Sequence, residues 1–160
     1  MSLKILLVDD RKIMRDSLRF LIEKESGLQV VAEAENGLYA VEQTRKFKPD
    51  VILMDIHMPG ISGIEATRRI VEEFPGIKVI AISMHSSRQY VVEAIIAGAS
   101  GYLLKDRTFE ELAGSIFAVV ENRLYLSPPV KEIVAKECEK EDVPAKVNRF
   151  CRLIGLTSPG

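Results

Sequence analysis

The sequence predicts an α/β fold, with a parallel sheet covered by helices on both faces. Five short runs rich in Val, Ile and Leu recur through the first two thirds of the chain: KILLV, QVVAEA, DVILM, KVIAIS and GYLLK. Most of these runs are nearly continuous rather than alternating, which is typical of strands buried on both faces. A helical segment follows each run, and this strict alternation indicates right-handed crossovers between parallel strands.

The five helical segments are recognised by their apolar periodicity and their end signals. In RKIMRDSLRFLIEKE, the apolar Ile13, Leu18 and Ile22 fall on one stripe. The last segment has Thr108 and Glu111 at the spacing of a capping box, which predicts a side-chain cap at its start. This last segment is TFEELAGSIFAVVEN, and the three between it and the first are GLYAVEQTRKFK, GIEATRRIVEEF and SRQYVVEAIIAG.

Length and composition favour one well-packed domain with a short addition, since the chain has 160 residues and is 47% hydrophobic. The 22 basic and 23 acidic residues nearly cancel, so no global field favours nucleic acid or an anionic membrane. No apolar stretch approaches the ~20 residues of a membrane span, and we expect a cytoplasmic protein with no membrane partner. Cys138 and Cys151 have no histidine at metal-ligand spacing, and we expect free thiols because disulfides are rare in the cytosol.

Polar side chains stand at the ends of four of the predicted strands. Asp9 and Asp10 follow the first run, Asp55 the third, Ser83 ends the fourth and Lys105 follows the fifth. Each alone has a structural interpretation, as a helix cap, a loop hydroxyl or a solvated charge. Because ligands bind at the carboxyl ends of parallel strands, the five together favour a functional site.

Electrostatics predicts a cation and a phosphoryl group at this edge. Two unit charges ~4 Å apart repel by roughly 4 kcal/mol at an effective dielectric near 20, so three clustered carboxylates favour a bound cation. Mg²⁺ binds through one or two carboxylates and phosphate oxygens. Lys105 and Ser83 would then contact phosphoryl oxygens. The pattern predicts Mg²⁺-dependent phosphoryl transfer with a carboxylate nucleophile.

These motifs resemble the receiver domains of two-component response regulators. The resemblance covers residues 3 to about 122 and rests on LLVDD, LMDIHMPGISG, AISMH and GYLLKD in that order. The stretch ISMHSSRQYVVEAIIAGASGYLLKD is most similar to the NarL/FixJ subgroup. The resemblance implies a flavodoxin-like, doubly wound sheet of five strands in the order 2-1-3-4-5, with five helices. Pro59, Gly60 and Gly63 are interpreted as backbone devices that keep the acceptor loop tight and accessible.

The resemblance also implies a role for each acidic residue. Asp55 would accept a phosphoryl group from a phosphohistidine of a sensor histidine kinase. Asp10, Asp55 and the backbone carbonyl of His57 would bind Mg²⁺ directly, and Asp9 indirectly. On this view the His57 imidazole is not itself reactive, although His57 and His85 flank the pocket at positions that tune loss of the phosphoryl group.

The resemblance also implies a role for Lys105 in phosphoryl transfer and a switch formed by Ser83 and Tyr102. Lys105 and Ser83 would contact the phosphoryl group. Phosphorylation would draw the Ser83 hydroxyl inward and leave a space that the Tyr102 ring fills. The expected output is a changed surface around the fourth helix, fifth strand and fifth helix.

Three other functions are weighed against this switch. A Mg²⁺-dependent phosphatase with an aspartyl intermediate would carry a second aspartate where His57 stands. A flavin-binding module would need a phosphate-binding loop after the first strand, but VDDRKIMRD is acidic and lacks glycine. A degenerate receiver that binds partners without phosphorylation is disfavoured because the full residue set is present. The chain is therefore expected to be a signalling protein, not an enzyme.

The chain is expected to divide into a receiver domain at residues 1–122 and a linker or helical extension at residues 123–160. Two apolar stripes in the extension suit helices packed on the receiver or on a second copy, with a loosely ordered linker as the alternative. No recognition helix is apparent, so DNA binding is expected only through a C-terminal helix-turn-helix domain absent from this chain. The final LTSPG stands where such domains start in relatives, and a homodimer is the other assembly left open.

Overall fold

The computed structural model describes residues 2–155, so the predicted boundary at LTSPG lies outside the described residues. Its six strands form one sheet in the order β2-β1-β3-β4-β5-β6, and every pairing is parallel. The predicted order of the first five strands is confirmed. A sixth strand of two residues, too short for a periodicity signal, extends the sheet beyond β5. The strands are β1 (Leu3–Val8), β2 (Leu28–Ala34), β3 (Val51–Asp55), β4 (Lys78–Ser83), β5 (Gly101–Leu104) and β6 (Tyr125–Leu126).

Residues 2–155 contain seven α-helices. The first five flank the sheet and are the five predicted helices, confirmed within two residues at their ends. Local signals set several of these ends. The Asn36 and Ser62 side chains accept hydrogen bonds from the first turns of α2 and α3, and α4 stops at Gly98, whose φ is 108°. The helices are α1 (Lys12–Glu23), α2 (Gly37–Phe47), α3 (Gly63–Glu73), α4 (Arg88–Ala97), α5 (Thr108–Val120), α6 (Pro128–Cys138) and α7 (Ala145–Leu153).

The predicted capping box at Thr108 is wrong. A short 3₁₀ turn at Lys105–Arg107 runs directly into α5, so Thr108 has helical backbone angles rather than the extended ones of a cap. Its hydroxyl donates a hydrogen bond to the Lys105 carbonyl at 3.0 Å. Glu111 is nearly buried and instead accepts hydrogen bonds from the hydroxyls of Tyr125 and Ser127.

Side chains from the two faces of the sheet enter separate cores. On one face Ile5, Leu7 and Leu53 pack with residues of α1 and α5. On the other face Leu6 and Met54 pack against α2 and α3. All five residues of β3 are buried. Burial on both faces accounts for the continuous apolar runs of the sequence.

The C-terminal residues form two short helices, α6 and α7, that pack on α4. The prediction of free thiols is wrong, because Cys138 and Cys151 form a disulfide with a Cα–Cα distance of 5.9 Å. The two cysteines meet because α6 and α7 fold back on each other, which their 13-residue separation in sequence does not reveal. Within residues 2–155, no helix is long and apolar enough to cross a membrane.

Candidate functional site

The carboxyl ends of β1, β3, β4 and β5 bring the predicted side chains to one edge of the sheet. Asp9 and Asp10 follow β1, Asp55 ends β3, Ser83 ends β4 and Lys105 follows β5. These four strands are neighbours in the order β1-β3-β4-β5. Residues spread over 96 positions of sequence therefore face a common crevice.

Three carboxylates form the centre of the site. Asp9, Asp10 and Asp55 each offer an oxygen, and these oxygens lie within 4.8 Å of one another. Asp9 and Asp55 are 1% and 2% exposed, whereas Asp10 is open to solvent. The Lys105 ammonium lies 3.4 Å from a carboxylate oxygen of both Asp9 and Asp55. The three aspartates and one lysine leave a formal charge of −2 if all are ionised.

Backbone amides hold the two buried carboxylates in place. Asp9 accepts a hydrogen bond from the Arg11 N–H at 2.9 Å, and Asp55 accepts one from the His57 N–H at 3.0 Å. The other oxygen of Asp55 faces Lys105. Each carboxylate therefore has one oxygen fixed by the loop that follows its strand.

Burial raises the pKa of Asp55, and the neighbouring Asp9 carboxylate adds to this effect, while the His57 N–H and Lys105 oppose it. The ionised form is thus penalised in the protein alone. A cation beside these oxygens would relieve that penalty. Hard oxygen donors, two of them fixed and one exposed, fit a small divalent ion such as Mg²⁺ with coordination positions left open.

The Ser83 hydroxyl is fully buried, and its hydrogen-bond partners are His85 and His57, not Asp55. It accepts a hydrogen bond from the His85 N–H at 2.9 Å and lies 2.9 Å from Nε2 of His57. The His57 ring meets the Tyr90 ring edge-on at 4.5 Å between centroids. Burial, with nearby His85 and Lys105, lowers the pKa of His57 and favours its neutral imidazole.

His57 is where the sequence interpretation of the side chains was incomplete. Its ring was expected to be unreactive and only to flank the pocket, but it contacts the hydroxyl predicted to bind phosphate. The available signal was its position two residues after Asp55, which places it beside the pocket. The sequence contains no sign that the partner of this ring is Ser83, because the two residues lie 26 positions apart.

Tyr102 is 1% exposed, with its ring inside the protein. Its hydroxyl donates a hydrogen bond to the His85 carbonyl at 2.7 Å. The N–H of the same His85 bonds to Ser83. One residue of backbone therefore joins the pocket hydroxyl to the buried aromatic ring.

Gly63 allows α3 to begin against the acceptor strand. A Cβ at this position would lie 2.1 Å from the Asp55 carbonyl oxygen and 2.7 Å from the Ile56 Cα. Gly60 has a φ of 82°, a conformation that glycine adopts at little cost. Both glycines shape the loop after Asp55, as the motif predicted.

The fold and site together define a doubly wound α/β domain with an acidic crevice at the carboxyl ends of its strands and a lysine directly after β5. Residues 5–117 match the response regulator receiver domain family. The chain belongs to this family, as its motifs predicted.

Individual relatives support this membership and its subgroup. The transcriptional regulatory protein DegU of Brevibacillus brevis is 38% identical over 136 residues, which cover 85% of this chain and 58% of DegU. The response regulator GacA of Pseudomonas syringae pv. syringae is 36% identical over 133 residues, which cover 83% of this chain and 62% of GacA. The chain thus spans about three fifths of the length of these curated relatives.

Solved structures of response regulators have the same fold as this chain. A LuxR-family two-component response regulator from Aurantimonas sp. SI85-9A1 superposes with a TM-score of 0.81 at 37% identity, covering 86% of this chain and 98% of that one. The signal receiver domain of NarL from Mycobacterium tuberculosis gives 0.73 at 29% identity, covering 76% and 98%. The predicted likeness to the NarL/FixJ subgroup is confirmed. The chain therefore contains the receiver domain of a signalling protein.

Proposed function

We propose that the chain is a phosphorylation-dependent switch with Asp55 as the phosphoacceptor. The observation that carries this proposal is the position of Lys105, whose ammonium lies 3.4 Å from both Asp55 and Asp9 in a cluster completed by Asp10. A buried strand-end carboxylate beside a cation-binding pair and a fixed ammonium suits phosphoryl transfer. Asp55 ends β3, which lies in the sheet between β1, the strand before Asp9 and Asp10, and β4, the strand that ends at Ser83.

The transfer step uses the Asp55 oxygen that faces Lys105 and not the one that accepts from the His57 N–H. This oxygen forms a bond to phosphorus as the bond between phosphorus and the kinase imidazole nitrogen breaks, and the nitrogen keeps the electron pair. The Lys105 ammonium donates a hydrogen bond to a phosphoryl oxygen, which stabilises the developing charge. Asp10, Asp55 and the His57 carbonyl would hold Mg²⁺, with Asp9 acting indirectly, and the ion would supply further charge neutralisation.

The switch begins with the Ser83 hydroxyl. To contact the phosphoryl group, this hydroxyl must give up its hydrogen bond with His57. The Tyr102 ring is already buried while Ser83 contacts His57, so phosphorylation stabilises this ring position instead of creating it. The His85 backbone, bonded to both residues, is the connection between them.

The phosphoryl donor, the location, the domain boundaries and the output are proposed by analogy with the relatives. A sensor histidine kinase would supply the phosphoryl group, and the protein would act in the cytoplasm. Residues 1–122 would form the receiver and residues 123–160 the extension, with DNA bound only through a helix-turn-helix domain outside this chain. The relatives named as transcriptional regulators support this output. A homodimer is the assembly to be tested with phosphorylated protein.

Incubation with Mg²⁺ and acetyl phosphate, followed by intact-mass measurement, tests the acceptor. We expect the wild type to gain one phosphoryl group and Asp55→Asn to gain none. Asp16→Asn, which removes an exposed carboxylate of α1, should gain as much as the wild type. Chelation of Mg²⁺ should abolish the gain. An unmodified wild type would instead support a receiver that works without phosphorylation.

A further inference from the structure

The hairpin of α6 and α7 holds α4 at both of its ends. At the first turn of α4, the Arg88 guanidinium pairs with the Glu137 carboxylate, with a second hydrogen bond of 3.1 Å. At the last turn, the Lys146 ammonium donates to the Ile96 carbonyl at 3.1 Å. Carbonyls of a last helical turn have no partner within the helix, so Lys146 satisfies an otherwise free acceptor.

Between these polar contacts lies a continuous apolar interface. Residues of α4 pack with side chains of the hairpin in one buried cluster that also contains Tyr102 and both cysteines. The surface of α4 that faces the hairpin is therefore closed to other partners. The residues from α4 are Val91, Ala94 and Ile95, and those from the hairpin are Val130, Val134, Val147 and Phe150.

The hairpin also begins on the strand that carries the proposed switch residue. The Ser127 N–H donates to the Tyr102 carbonyl at 3.0 Å, and the Leu104 N–H donates to the Ser127 hydroxyl at 3.1 Å. The start of α6 is thus bonded to β5 next to Tyr102. The covered face is continuous with the surface expected to change on phosphorylation.

The two helices are short, so a cross-link between them adds to the stability of the hairpin. They contain 11 and 9 residues, and isolated helices shorter than ~12–15 residues are marginal in water. The connecting residues 139–144 are mostly polar and exposed, and only Val143 among them packs against the buried cluster. The disulfide between Cys138 and Cys151 joins the last turn of α6 to α7. Both cysteines are buried, at 1% and 0% exposure.

We propose that this disulfide is a redox-controlled modification site that determines whether the hairpin covers α4. A dithiol reductant is the chemical class that would act on it. Because both cysteines are buried, the attack occurs when the hairpin opens locally. A thiolate of the reductant then attacks one cysteine sulfur and breaks the S–S bond, and the second reductant thiol releases that sulfur. Two electrons and two protons pass to the protein, giving two cysteine thiols and a cyclic disulfide of the reductant.

Reduction releases the hairpin from α4 and exposes the apolar face. In reducing compartments, the disulfides that form are mostly transient or redox-sensing, which favours a regulatory over a purely structural bond. The regulatory role of this disulfide rests on the cytoplasmic location in the proposed function. The packing that the disulfide maintains does not involve Asp55.

Hydrogen exchange measured by mass spectrometry on the unphosphorylated chain tests the proposal. Amides of α4, α6 and α7 should exchange about a hundredfold faster after dithiothreitol treatment. This factor corresponds to the stability that a disulfide gains by closing a loop of ~15 residues. Amides of β1 and β3 should not change. Alkylation under denaturing conditions should label no cysteine before reduction and two after it.

A double variant, Cys138→Ala with Cys151→Ala, is the control. It should exchange rapidly at α4 whether or not dithiothreitol is present. Equal protection of α4 in oxidised and reduced wild type, or two free thiols in protein purified without reductant, would overturn the proposal. Asp55→Asn should show the same redox dependence as the wild type, so failure of the phosphoacceptor proposal remains separately detectable.

Discussion

Gly63→Ala is the substitution that tests the packing of α3 against the acceptor strand. The added Cβ would lie 2.1 Å from the Asp55 carbonyl oxygen, where ordinary contact begins at 3.4 Å. The two groups must separate by about 1.3 Å. All three of the nearest atoms are backbone atoms of Asp55 and Ile56, so no side-chain rotation can relieve the overlap.

The expected cost is at the upper end of overpacking effects, about 3 kcal/mol of unfolding free energy. With a urea dependence of about 2 kcal/mol per molar, the unfolding midpoint should fall by about 1.5 M. Because the strand end must shift, the initial rate of Asp55 phosphorylation by acetyl phosphate should also fall. Both quantities are measured on the same purified protein.

Gly114→Ala is the matched control, since Gly114 lies inside α5 with no atom within 4 Å of an added Cβ. Alanine favours a helix over glycine by about 1 kcal/mol, so this variant should be as stable as the wild type or more so. If Gly63→Ala unfolds at the wild-type urea concentration and is phosphorylated at the wild-type rate, the packing argument is wrong.

Three further predictions concern charged groups. Burial raises the pKa of Asp55, so its ionised form is penalised in the folded protein. Without divalent ions, Asp55→Asn should therefore unfold at a higher urea concentration than the wild type, and Mg²⁺ should raise only the wild-type midpoint. Equal midpoints without the ion would contradict this. Lys105→Met should slow phosphorylation by acetyl phosphate about a hundredfold, as loss of a charge-stabilising donor does, and an unchanged rate would exclude that role. Burial opposes ionisation of Glu137, but hydrogen bonds from Arg88 and Lys140 lower its pKa below the ordinary 4.5. The stability it contributes should be present above pH 4.5 and lost as pH falls through the folded value, so Glu137→Gln should unfold earlier in urea than the wild type at neutral pH but not in acid.

The parallel sheet was predictable because it leaves a direct mark on the sequence. Strands buried on both faces need apolar residues at nearly every position, and β3 shows this with all five residues buried. Crossover helices then bring every strand's carboxyl end to the same edge. The convergence of Asp9, Asp55 and Lys105 follows from that topology.

Other features of the site depend on side-chain orientation. Ser83 was expected near the phosphoryl position, but its hydroxyl lies against the His57 ring. Tyr102 was expected to move inward on phosphorylation, and its ring is already buried. Rotamers and local hydrogen bonds decide such details, and neither has a sequence period.

By itself, the sequence determined the fold class, the strand order through its family motifs, and the set of residues at the crevice. The fold class could be predicted because the pattern of apolar residues shows which faces of each strand and helix are buried. Only the tertiary structure decided how α6 and α7 return to α4, that Cys138 meets Cys151, and that β6 extends the sheet. Those contacts join short or distant segments whose pairing depends on the shape of the surface already folded beneath them.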